Sequence, residues 1–172
     1  MTAEVRPILG NSCARATSAT EMRYRIDRPI RGRRGARIIG LDGGADAIVE
    51  RISRDPWGHA RFFSLAEPVG DVGDRGSDSV ALRSTDGESS NLLAELGEAD
   101  VVIMVATTEA DAAAATIIGA ACTVRAIMTA GLVIGEPSLI GATVAGLRPH
   151  ARVLMVGGDE RDVVDLLTAL RA

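Results

Sequence analysis

The sequence predicts an α/β protein with a doubly wound, mostly parallel sheet and helices on both faces. Three observations carry this. First, Ile38 and Ile39 run into a glycine-rich turn (Gly40, Gly43, Gly44), after which Ala45, Ile48, Val49 and Ile52 recur at helical spacing. Second, Val101-Val102-Ile103-Met104-Val105 is apolar at every position, as a strand buried on both faces must be. Third, strand-like and helix-like segments alternate along most of the 172 residues. By the crossover rule that alternation gives a Rossmann-like sheet.

The opening strand, turn and helix end near Arg54, where Asp55-Pro56-Trp57-Gly58 stops the helix. A second strand is expected at about Ala60 to Ala66, closing on Glu67-Pro68, followed by a polar loop from Gly70 to Asp78. Ser79 to Ser84 reads as a short third strand. Asp86 to Ser90 reads as the lead into a helix at Asn91 to Glu98, whose Leu92, Leu93 and Leu96 make an apolar stripe. After the strand ending at Ala106, Thr107 and Thr108 are expected to cap a long helix from Ala110 to Arg125. Glu109 and Asp111 would then lie in its first turn, as the helix dipole favours. Ile127 to Ile134 is another strand, and Pro137-Ser138 opens a shorter helix to about Leu147. The last strand is Arg152 to Val156, and Gly157-Gly158-Asp159 caps a helix carrying Val163, Leu166, Leu167 and Leu170. Ile38, Ile39, Val102, Ile103, Met104, Leu154 and Val156 are expected in adjacent central strands.

Composition narrows the functions. With 47% apolar and 24% charged residues the chain can bury an ordinary core. One tryptophan, one tyrosine and two phenylalanines cannot build a stacking platform for single-stranded nucleic acid. All 19 basic residues are arginine, which excludes a P-loop lysine and a Schiff-base lysine, although a G+C-rich genome explains the bias equally well. The net charge of −4 argues against a general nucleic-acid binder. Cys13 and Cys122 lie far apart and read as reduced, in a cytoplasmic protein, with Cys122 in the core. His59 and His150 have no near companions at ligand spacing, so no metal site is expected. No membrane span or signal-peptide core is visible.

In such a sheet ligands bind beyond the carboxyl ends of the strands. The segments placed there are Gly40 to Gly44, Ala66-Glu67, Ala106 to Asp111, Gly135-Glu136 and Gly157 to Asp159. No Ser/His/Asp or Cys/His set converges among them, so no catalytic residue is assigned and an enzyme is disfavoured. A dinucleotide reading has Gly40 and Gly44 bracket the turn and Glu67 bind a ribose hydroxyl. Asp42 stands where that pattern has its middle glycine, and a tight structural turn is the alternative. Asp42, Glu109, Asp111 and Asp159 would make an oxygen-ligand metal site if gathered; helix caps account for Glu109, Asp111 and Asp159 more simply.

Ile39-Gly40-Leu41-Asp42-Gly43-Gly44-Ala45-Asp46-Ala47-Ile48 is similar to the opening turn and helix of the tubulin-like bacterial cell-division GTPases, the FtsZ family. Ala99 to Met104, the alanine-rich helix after it and Gly131-Leu132-Val133-Ile134 resemble that family's central strand, helix and next strand. The resemblance spans about residues 37 to 160 and implies a tubulin-like strand order with a GTP site at Gly40, Asp42, Gly43 and Gly44, facing Thr107 and Thr108. Where the family has its glycine-rich phosphate signature, this chain has Ala106-Thr107-Thr108-Glu109-Ala110-Asp111. The stretch corresponding to the family's long central helix and second domain, which supply its catalytic acid, does not follow. The resemblance therefore implies a nucleotide domain that has lost its GTPase.

Residues 1–36 read as a basic, partly extended N-terminal arm and 37–172 as a single domain. Six of the 19 arginines fall between Arg23 and Arg34, while 22 of the 23 acids lie outside that stretch. Met22, Tyr24 and Ile26 alternate with charged residues there, as in an edge strand or docking arm, and a solvated tail is the plain alternative. The expected function is a non-catalytic accessory or interaction subunit that meets a protein partner or a second copy through the arm. A small nucleotide-binding protein, taking GTP or a dinucleotide at the Gly40 to Gly44 turn, is the alternative.

Overall fold

β1 (Ala36–Gly40) is buried along its whole length, and the computed structural model, which describes residues 35–69 and 80–172, builds the sheet outward from it. β2 (Ala60–Leu65) pairs with β1 in parallel on one side and β5 (Val101–Ala106) does so on the other. Ile38 thus sits between Phe62 and Ile103, and Ile39 between Phe63 and Met104. These side chains are between 0% and 5% exposed, which accounts for the unbroken apolar runs in the sequence.

Beyond β5 the chain adds β6 (Met128–Ile134) and β7 (Val153–Gly158), both parallel. Beyond β2 it adds an antiparallel pair, β3 (Ala81–Ser84) and β4 (Ser89–Asn91), so among the described residues the seven strands run in the order β4-β3-β2-β1-β5-β6-β7. The α/β, mostly parallel sheet expected from the sequence is present. Its β3-β4 hairpin was not foreseen: residues 86–90 form a turn and strand rather than only a helix lead-in. Gly87 holds φ +86 in that turn, which favours glycine, and its N–H donates to the Ser84 carbonyl at 2.8 Å.

Helices cover both faces. α1 (Gly43–Ile52) and α5 (Glu160–Leu170) pack one face, where Val49, Ile52, Val163 and Leu167 meet Ile38, Phe62 and Ile103. α2 (Leu92–Gly97), α3 (Ala112–Val124) and α4 (Gly141–Leu147) pack the other, where Leu92, Leu96, Ile118 and Leu147 meet Ile39, Phe63 and Met104. Cys122 lies within this second core, and burial pushes its thiol up to about 11.

Leu154 and Val156 require a correction. They belong to β7, the last strand of the sheet, not to its centre. An apolar strand in sequence does not reveal its rank in the sheet, and β5, β6 and β7 are laid down outward one after another.

β1 and α2 are also held by buried charge that the sequence did not suggest. Arg37 Nε donates to Glu95 Oε2 at 3.0 Å, Arg61 Nη1 to Glu95 Oε1 at 2.9 Å, and Ser90 Oγ to Glu95 Oε1 at 2.8 Å. Arg37 is 2% and Glu95 5% exposed, so the pair is acceptable only because its donors and acceptors are satisfied. No helix among the described residues is long and apolar enough to cross a membrane. The arginine-rich stretch Arg23–Arg34, Cys13 and the loop from Gly70 to Asp78 lie outside the described residues.

Candidate functional site

Strand order reverses between β1 and β5: the chain moves from β1 to β2 on one side and returns to place β5 on the other. A crevice of about 250 Å³ opens at the carboxyl ends of these strands, lined by the β1–α1 turn, the segment after β2 and the segment after β5. That is where a doubly wound sheet takes a ligand.

Asp42 organises this place. It is the N-cap of α1, with extended backbone, and its Oδ1 accepts from the Ala45 N–H at 2.8 Å. The same carboxylate reaches across to the other loop: Oδ2 accepts from the Thr107 N–H at 2.6 Å and Oδ1 from the Thr107 hydroxyl at 2.6 Å. One side chain therefore caps a helix and ties the two loops of the switch point together. Gly44 is the residue type this closeness requires, since a Cβ there would stand 2.6 Å from Thr107 Oγ1. Gly40 is constrained likewise, because a Cβ on it would run into the Asp46 carboxylate.

Asp46 is the strained member. Its Oδ1 is buried without a hydrogen-bond partner among the described residues. Burial, with the Asp42 charge beside it, raises its carboxyl from an ordinary value of 3.8 to about 6.

Asp111 does for α3 what Asp42 does for α1. Its Oδ1 accepts from the Ala114 N–H at 2.9 Å as the N-cap, and its Oδ2 from the Val69 N–H at 2.7 Å. The cap of this helix is thus Asp111, not Thr107 or Thr108. Thr107 is drawn away to Asp42, Thr108 is exposed, and Glu109 is exposed ahead of the helix rather than in its first turn.

The structure therefore gathers Asp42, Gly43 and Glu67 on the crevice wall, with Gly40, Gly44 and Thr107 immediately behind it, while Thr108 is not part of the lining. Three residues outside the segments named from the sequence join them, Asp46, Leu65 and Pro68. A carboxylate four residues after Asp42, one turn along a helix from a capping acid, was the signal for Asp46. Among the described residues that line the crevice, five are acids (Asp42, Asp46, Glu67, Glu109, Asp111) and none is arginine, so this part of its wall disfavours anions. Among the described residues no three His, Cys, Asp or Glu side chains are placed to hold a metal ion. Asp159 caps α5 after β7, two strands beyond β5. Compared with known proteins, the chain matches no family model and no curated relative.

Proposed function

We propose that this chain is a non-catalytic nucleotide-fold subunit with an accessory or interaction role, a diverged relation of the tubulin-like GTPases that has given up phosphate binding. The observation that carries the reading is the threefold use of Asp42. The Ala45 and Thr107 N–H groups and the Thr107 hydroxyl, donors of the kind that cradle phosphate at a switch point, already serve a carboxylate of the chain itself. A phosphate entering the crevice would have to displace that carboxylate and sit among five acids. Partner contact is assigned to the arginine-rich stretch Arg23–Arg34, whose charge suits an acidic protein surface, a partner's or a second copy's.

Steady-state GTP hydrolysis tests the catalytic half of the reading. The purified chain is expected to release phosphate no faster than buffer; turnover that disappears in Thr107→Ala would overturn it. A second reading, a small binder of GTP or a dinucleotide, rests on the position of the crevice at the switch point with Glu67 on its rim. Direct ligand titration separates the two.

A further inference from the structure

We infer that two copies of this chain join edge to edge through β7, antiparallel, about a two-fold axis. Among the described residues β7 ends the sheet and is paired only with β6, so one row of its backbone groups faces away from the sheet. The opposite edge is built differently: β4 is three residues of serine and asparagine, a short polar strand of the kind that resists pairing. β7 is six residues long, with Val153, Leu154, Met155 and Val156 in sequence and neither a proline nor a charge within it.

The exposed side chains indicate what is missing. Val153 is 51% and Val156 50% exposed, and the two lie on opposite faces of the sheet. Val153 stands beside Ala130, which belongs to the α1–α5 core, and Val156 beside Val133, which belongs to the α2–α3–α4 core. A helix docked on either face would cover one valine and leave the other. A further strand covers both at once and satisfies the backbone row as well.

Charge selects the strand and its direction. β7 is preceded by Arg152 and followed by Asp159, both exposed, and the Arg152 side chain has no ion-pair partner among the described residues. An antiparallel second copy brings each Arg152 toward the Asp159 end of the other strand, twice by symmetry. A parallel copy would set like charges together. The antiparallel arrangement also closes as a dimer, with the same surface used on both sides. The register shift between Val156 and Gly158 ends the regular ladder at Gly157, so the paired segment is short and the association is reversible on dilution. The contact does not depend on what the crevice binds, since β7 lies two strands from β5.

Sedimentation velocity on the full chain across a dilution series is the test. The chain is expected to approach twice its own mass at high concentration and to return to the monomer on dilution. Val153→Lys combined with Val156→Lys, at half-exposed positions, is expected to be monomeric throughout with unchanged circular dichroism. Arg152→Asp and Asp159→Arg should each weaken self-association by about tenfold, the second with circular dichroism as a control because Asp159 also caps α5. An equimolar mixture of those two chains should recover the dimer, because it restores both opposite-charge pairs. A wild-type chain that stays monomeric, a dimer that survives the two lysines, or a mixture no stronger than its components would overturn the inference.

Discussion

Asp42 and Asp46 are one helical turn apart and do opposite things. Asp42 is satisfied by three donors, so Asp42→Ala should cost about 2 kcal/mol of stability through the lost cap and the loosened Thr107 loop. Urea unfolding measures it, and a loss within error of zero would mean that the loops hold without it. Asp46 has its carboxyl raised to about 6, above the unfolded value of 3.8. The folded state therefore holds that proton more tightly, and stability from this group, full at low pH, falls as pH rises from about 4 to about 6. Asp46→Asn should raise stability above pH 6 by on the order of 1 kcal/mol, the position being only half buried, and change little below pH 4. Equal effects at both pH values would contradict the assignment. Asp42 was visible in the sequence as a misfit in a glycine-rich turn. Its bond to Thr107 was not, because the two lie 65 residues apart and only the β1–β5 pairing joins them.

At the scale of elements, β1, β5 and the helix after each were legible because their periodicity has one explanation. Ile38 and Ile39 are apolar in succession only because both faces are covered, and Ala45, Ile48, Val49 and Ile52 share one face of α1. The β3-β4 hairpin was half legible: Asp86-Gly87 is a turn signal, but Ser89-Ser90-Asn91 has no apolar alternation, since β4 is a polar edge. The attachment of α2 was not legible, since Glu95 lies 58 residues from Arg37 and 34 from Arg61 and only the fold brings the three together. Removing Glu95 takes one acceptor from the buried Arg37 and the shared acceptor from Arg61 and Ser90, so Glu95→Ala should destabilise by about 2 kcal/mol and Glu95→Gln by less. Chemical denaturation of both variants checks the order. An alanine variant as stable as wild type would show the network to be dispensable.

For the whole molecule, a mostly parallel α/β sheet carries a crevice at the reversal of strand order, and the acids among its described lining residues are the ground for proposing that it takes no nucleotide. The place follows from topology, since the reversal of strand order between β1 and β5 opens it whatever the residues are. Its character follows from the acids that line it and from the capping of α1 and α3 by Asp42 and Asp111. Thermal unfolding of the full chain with GTP, GDP, ATP, NAD and FAD tests that claim most directly. A ligand present at 100 times its dissociation constant adds about 2.7 kcal/mol to stability, well above the resolution of the method. None of the five is predicted to raise the midpoint at millimolar concentration; a saturable rise with any one of them, lost when Glu67 or Gly43 is substituted, would contradict the account.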